Sequence, residues 1–578
     1  MKKILNPVLL VFFLTLLSCS SPRPDDGEYT IYIYATNDLH GRFFNDHYVG
    51  EGTHPFSLAS VSSYLKDVRE LHGEDSVILI DAGDNLQGDN SVFYYNYIDT
   101  ISEHIFSRIA NYLSYDAIVV GNHDIEAGHS VYDKITKELN APYLAANAIN
   151  IKSNKPYFTP YTIIDRGGVR VAIIGMTNPN IPKWLSPKLW EGIRFDEIPL
   201  SLEKWVKYVN KKEKPHITVV VLHAGLGEYN DYSVENPARY IASNISGIDV
   251  VFASHDHKRV AEVVYNNNHP VWILAGGSRA SDLSAARVAI TISDGRVFAK
   301  DIYGWNESMS GINADSSFLK YFANDYNIVK EFTNLEVGYL NTPITTRDAY
   351  FGPSAFIDMI HSLQLSVSGA DVSFAAPLSF DISIDKGVLN YQDLMDVYPY
   401  ENQLYVIEMS GKEIRDYLEY SYSKWINNIS NGQTMLKLRK EDNQTDERMR
   451  FENIFFNFDS AAGVLYEVDI TKGDNERVNI ISMSNGSEFG YDKNYKVALT
   501  SYRANGGGDL LEKGAGIDND LLEGRVVERH PDIREIMFNY LRVNKSVSPS
   551  RLNHWKFVPE ELAAEYIERE YILLFGRR

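Results

Sequence analysis

Five short polar clusters, each at the end of an apolar run, carry the residue types that ligate metal ions and move protons. Asn37, Asp38 and His40 follow TIYIYAT; Asp81 and Asp84 follow SVILI; Asn122, His123 and Asp124 follow AIVVG; His223 follows ITVVVL; and His255, Asp256 and His257 follow DVVFA. Carboxylate and amide oxygens beside imidazole nitrogens suit divalent Mn, Fe, Zn, Co or similar ions, and no thiolate is available for a structural zinc site. Two such ions about 3.5–4 Å apart can clamp both the attacking and the leaving oxygen of a phosphoryl displacement, with one carboxylate bridging them. Taken alone, an Asp, Asn or His at a strand end is often only a cap or turn residue. The His255/His257 alternation is more telling, because on a strand it points both side chains to one face.

The apolar runs are short, β-branched and bounded by glycine turns, which predicts buried strands. Strands that alternate with helical patterns from Tyr29 to about Gly304 predict a layered α/β domain, whose chemistry belongs at the strand carboxyl ends. One such helix covers residues 56–71, with Leu58, Val61, Leu65 and Val68 on its apolar face. Residues 306–341 read as a helical connection. A second domain is expected over 342–528, where Ser410 and Glu413 have capping-box spacing. Residues 529–578 read as an outer extension without chemistry.

The chain has 578 residues, 44% of them apolar, enough for large cores in two or three domains. Its formal charge of -21 argues against wrapping a nucleic-acid polymer, which needs a basic track. Lys2, Lys3 and a short apolar stretch before Cys19 predict an export signal over residues 1–18 rather than a spanning helix. LLSC at 16–19 resembles a bacterial lipobox, which implies lipidation of Cys19 and a membrane-anchored, periplasmic or cell-surface protein with a polar tether over 19–28. Cys19 is the only cysteine, so no internal disulfide can form.

Asp38/His40, Gly83/Asp84, Gly121 to His123, His223/Gly225 and His255/His257, in this order, resemble the motifs of calcineurin-like metallophosphoesterases. With a separate domain behind them, they are similar to the 5'-nucleotidase family. The resemblance implies a four-layer β-sandwich flanked by helices over 29–305, plus a C-terminal α/β substrate-binding domain. It also implies two divalent metal ions, with Asp38, His40 and His257 on one, Asn122, His223 and His255 on the other, and Asp84 bridging. His123 would not be a ligand but would stabilise charge on the phosphoryl group. The family's aspartate that orients this histidine is replaced in GNHDIEAG by Glu126, which either orients His123 from a displaced backbone or takes no part.

Tyr400 in PYEN and Tyr502 in YRANGGGD match the family's two nucleobase-stacking aromatics, and Asn402 matches its PFGN asparagine. Gly506 and Gly507 open the backbone to close approach of a ligand. FAAPLSFD at 374–381, YRANGGGD at 502–509 and ENPARYIASNISGIDVVFASHDH at 235–257 resemble the 2',3'-cyclic-nucleotide 2'-phosphodiesterase/3'-nucleotidase branch. Hydrolysis of cyclic and 3'-nucleotides for salvage outside the cytoplasm is therefore favoured over a 5'-nucleotidase or UDP-sugar hydrolase. A nucleotide-binding lipoprotein without turnover is the reading from another class. Arg347 and Lys386 are candidate phosphate neighbours, and the resemblance implies a hinge near 325–345.

Overall fold

The computed structural model describes residues 25–230, 232–429, 434–440 and 448–576. The export signal, Cys19 and the tether as far as residue 24 lie outside the described residues. Among the described residues, no helix is long and apolar enough to cross a membrane.

Two six-stranded sheets form the centre of the first domain. In one, Gly27–Thr36, Val77–Asp81, Ala117–Val119 and Tyr143–Leu144 run parallel, and Asp282–Ser293 and Arg296–Ser308 extend it antiparallel. In the other, Val169–Met176, Ile217–Leu222, Val250–Ala253 and His269–Gly276 run parallel between antiparallel edges at Tyr161–Arg166 and Arg259–Asn266. Ile33, Ile80, Val119, Ile173, Val221 and Phe252 fill the space between the sheets. Helices such as Leu58–His72 and Ile198–Lys212 cover the outer faces through separate cores. This helix, sheet, sheet, helix stacking is the expected four-layer sandwich. Register carries the consequence: Thr36 lies beside Asp81, Asp81 beside Ile118, and Leu222 beside both Met176 and Ala253, so the polar ends share one rim.

The segment 306–341 is not one linker. It holds the end of the Arg296–Ser308 strand, two helices whose Phe318, Phe322 and Val329 pack into the first domain's outer core, and the Glu336–Leu340 strand. That strand pairs with Gly387–Asn390 and Ser546–Val547 and so begins the second domain.

The second domain contains a five-stranded sheet in the order Ser460–Ala462, Val372–Ala375, Asn494–Thr500, Gln403–Ser410, Val526–Asp532. The Ser410 hydroxyl accepts from the Glu413 amide at 3.2 Å while the Glu413 carboxylate accepts from the Ser410 amide at 2.7 Å, the reciprocal cap of the Gly411–Trp425 helix. The boundary read at residue 528 falls inside the Val526–Asp532 strand. Beyond it, Ile533, Ile536 and Met537 enter one core, Trp555–Val558 pairs with Val464–Asp469, and Tyr571, Leu574 and Phe575 close another core. Residues 529–576 therefore complete this domain rather than decorate it. Pairing between a four-residue strand and a partner some ninety residues away leaves no local periodicity to read.

Candidate active site and metal centre

Asp38, His40, Asp84, His255 and His257 have φ between 47° and 78°, in the left-handed region that non-glycine residues rarely occupy. Each costs on the order of 1–3 kcal/mol and persists only where the surroundings over-determine it. Those surroundings are visible. The Asp124 carboxylate accepts backbone N–H groups of Gly121 (2.7 Å), Asp84 (3.2 Å), Asn85 (2.8 Å) and Leu86 (3.1 Å), tying two polar loops together. Gly121 approaches so closely that a Cβ there would lie 2.1 Å from an Asp84 carboxylate oxygen. A Cβ on Gly83 would sit 2.8 Å from His223 Nδ1. The two motif glycines are thus required by contact.

Asp38, His40 and His257 form one group whose potential ligand atoms lie within 4.8 Å of one another, and Asp84, His223 and His255 form a second. His40 Nδ1 donates to the Gln87 carbonyl at 3.1 Å, which leaves Nε2 as a bare acceptor, 3.1 Å from His257 Nε2. His223 Nδ1 likewise donates to the Ala82 carbonyl at 2.9 Å. Its Nε2 then faces the Asn122 amide oxygen at 3.0 Å and an Asp84 oxygen at 3.1 Å. Such acceptors repel one another unless a proton or a metal cation lies between them. The donor set therefore fits two divalent ions, with Asn122 and Asp84 at the second group.

Electrostatics agree with this reading. Burial pushes His40 well below the usual imidazole range and His257 down to about 4, so both rings stay neutral and keep a lone pair for a cation. Burial opposes charge on Asp84, but His223 and His123 overcome it and hold the carboxyl well below its ordinary range. His223 is disfavoured as a cation by burial and favoured by Asp84, which wins and carries it to about 9. A proton and a metal ion are alternatives for that same Nε2 lone pair.

His123 and Glu126 sit one turn apart on the Asn122–Glu126 helix, the spacing that places two side chains on one face. Glu126 Oε2 is 2.5 Å from His123 Nδ1. Burial lowers the affinity of His123 for a proton, yet Asp84 and Glu126 outweigh it and raise its pKa to about 10. The His123 amide also donates to Asp84 at 2.8 Å.

Asp84, Asn122, His123, Glu126, His255 and His257 line one cavity of about 1460 Å³ that Tyr400, Asn402, Tyr502, Gly506 and Gly507 also line. Tyr400 rests edge-on against Phe456, with ring centroids 5.7 Å apart. Tyr502 packs beside Gly507, where a Cβ would come within 2.4 Å of the ring edge atoms, and the Arg503 guanidinium lies 5.2 Å from the ring centroid. Arg503 is buried and binds Asp459 and the Gly507 carbonyl, so the glycine run is braced from behind. Arg347 is elsewhere, paired with Asp381 and lying over the Phe575 ring; neither it nor Lys386 lines the cavity. Their charge gave no hint of which surface they occupy. The sequence assigns no role to Trp184 or Glu235, whose loops have no fixed spacing to His255, and it places Asp124 in the polar cluster without showing that its carboxylate gathers the Asp84 loop.

Residues 31–259 match the calcineurin-like phosphoesterase family, and residues 332–513 match the 5'-nucleotidase C-terminal domain. The chain is 24% identical to the trifunctional nucleotide phosphoesterase protein YfkN of Bacillus subtilis over 96% of its own length, spanning 41% of that protein. It is 22% identical to a 2',3'-cyclic-nucleotide 2'-phosphodiesterase/3'-nucleotidase of Yersinia enterocolitica, covering 81% of this chain and 78% of the other. In fold it resembles a putative 5'-nucleotidase of Staphylococcus aureus, with a TM-score of 0.75 at 20% identity, covering 91% of this chain and 99% of that one. The 5'-nucleotidase precursor of Thermus thermophilus gives 0.62 at 19% identity, over 92% and 100%. With both domains matched in order and the ligand groups in place, the chain belongs to the calcineurin-like phosphoesterases that carry a 5'-nucleotidase C-terminal domain, a family of phosphoric ester hydrolases.

Proposed function

We propose that the protein hydrolyses nucleotide phosphoesters with two divalent ions, taking 2',3'-cyclic nucleotides and 3'-nucleotides in preference to 5'-nucleotides. The observation that carries the nucleotide reading is the single cavity shared by the ligand groups and by Tyr400 and Tyr502. Asp38, His40 and His257 would hold one ion, Asn122, His223 and His255 the other, and Asp84 would serve both. Ions there would supply Lewis-acid charge to the phosphoryl group and its attacking water. His123 Nε2 presents a proton to the phosphoryl oxygens as their charge builds, and Glu126 keeps Nδ1 protonated. The rings of Tyr400 and Tyr502 hold the base, with Asn402, Gly506 and Gly507 beside it.

With a cyclic ester, water oxygen joins phosphorus, the bond from phosphorus to O2' breaks, and the water proton ends on that leaving oxygen, giving the 3'-nucleotide. A second water breaks the bond to O3' and releases phosphate. The cyclic and 3' preference rests on FAAPLSFD and YRANGGGD and on the likeness to the Yersinia protein. Lipidation of Cys19 would hold this activity at a membrane outside the cytoplasm, and the two domains would turn about residues 325–345.

The test is product separation from 2',3'-cyclic AMP, 3'-AMP and 5'-AMP, each with Mn²⁺ and with chelator. Chelator-sensitive turnover of the cyclic and 3' substrates is expected. Turnover of 5'-AMP alone overturns the preference while leaving the site, and turnover of none favours a nucleotide-binding protein.

A further inference from the structure

Each ligand imidazole needs its second nitrogen occupied, because that partner decides which nitrogen keeps the lone pair for a metal. For His40 and His223 the partner is a backbone carbonyl, of Gln87 and Ala82. His255 differs. Its Nε2 lies 3.2 Å from the Glu235 carboxylate, a side chain twenty residues earlier that lines the cavity and is 44% exposed.

We infer that Glu235 is a positioning residue: its carboxylate takes the His255 Nε2 proton in a hydrogen bond and so reserves Nδ1 of that ring for the second metal ion. This rests on the two-metal reading above.

Four further contacts support it. The Trp184 ring stacks on the His255 ring at 5.3 Å and 21°, and the His223 ring meets it edge-on at 5.3 Å, so the imidazole cannot turn freely. The Glu235 backbone is also pinned. Its carbonyl accepts from the buried Asn178 amide at 3.1 Å, and the next residue packs so tightly that a Cβ on Gly227 would lie 1.8 Å from the Asn236 carbonyl oxygen. The ring and the backbone that carries the carboxylate are therefore each held by their loops, and the hydrogen bond joins the two. A carboxylate partner also makes the imidazole a stronger donor to a cation than a neutral carbonyl does.

The experiment is Mn²⁺ binding by calorimetry, with bound metal counted after gel filtration, on the full chain and on Glu235→Leu, Glu235→Gln, His255→Ala and the double variant Glu235→Leu/His255→Ala. The unchanged chain should bind two equivalents. Glu235→Leu should weaken one of them roughly 10–100-fold, while Glu235→Gln, which keeps an acceptor oxygen, should restore most of the loss. The double variant should bind no more weakly than His255→Ala alone, since Glu235 acts only through that ring. Equal melting temperatures in chelator would show that every variant is folded. Two equivalents at unchanged affinity in Glu235→Leu, or additive losses in the double variant, would overturn the role of Glu235 and leave the metal pair standing. If the unchanged chain binds no Mn²⁺, the two-metal reading itself fails.

Discussion

At the metal end of the cavity main-chain atoms hold much of the site: His40 by the Gln87 carbonyl, His223 by the Ala82 carbonyl, and the Asp84 loop through its N–H groups on Asp124, with His255 held instead by Glu235 and Trp184. At the aromatic end Tyr400 and Tyr502 lean on other side chains and on a glycine, in the second domain. The first arrangement fixes side-chain positions at the cost of left-handed backbone. The second offers flat ring surfaces, which on the proposed reading would take a base. Perturbation should therefore give all-or-none loss at the metal end and graded loss at the aromatic end.

The strongest way to break that contrast is Asp84→Ala. The variant removes the proposed bridge and the partner of both His223 and the His123 amide. We expect a fall in turnover on the order of a thousandfold or more, together with loss of bound metal. Near-normal phosphate release with metal retained would mean that the two groups do not act as a pair.

Next in size is His123→Ala, for which we expect a loss of roughly 10²–10³ in kcat at full metal content. Glu126→Gln should cost less, about tenfold, because the amide still contacts Nδ1 but no longer holds its proton by charge. Loss of metal in His123→Ala would make that ring a ligand. Here the sequence was informative up to a point: the i, i+3 spacing of His123 and Glu126 was present, but only the short helix after Gly121 converts it into a contact.

The same limit explains what else was legible. The candidate ligands stand out because they follow five apolar strands, so a local pattern carries a global position. Glu235 and Trp184 reach His255 from loops whose course depends on tertiary packing, and nothing local marks them. The tail after residue 528 is illegible for a related reason: Arg534, buried and paired with Glu401 at 2.7 Å, lies over Phe93 of the first domain in a contact that no periodicity announces.

At the aromatic end, Tyr400→Ala and Tyr502→Ala should each cost about 1–3 kcal/mol of nucleotide binding, seen as a raised KM. A small chromogenic phosphodiester, which has no base to stack, should lose little. Equal loss on both substrates would mean that the rings support the metal end structurally and would erase the contrast between the two ends.

The smallest effect is expected at Arg347, and it sharpens the comparison by lying outside both ends. Its guanidinium is committed to Asp381 and to the Phe575 ring 5.4 Å away, and it does not line the cavity. The pair is partly exposed, at 28% for Arg347 and 39% for Asp381, so solvent screens most of its attraction. Arg347→Ala should therefore lower stability by about 1 kcal/mol or less, read from denaturant unfolding, through lost packing on Phe575 as much as lost charge. KM and kcat for a nucleotide should stay within about twofold of the unchanged protein. A KM rise comparable to that of the tyrosine variants would bring Arg347 into the substrate site and require a second-domain position different from the one observed.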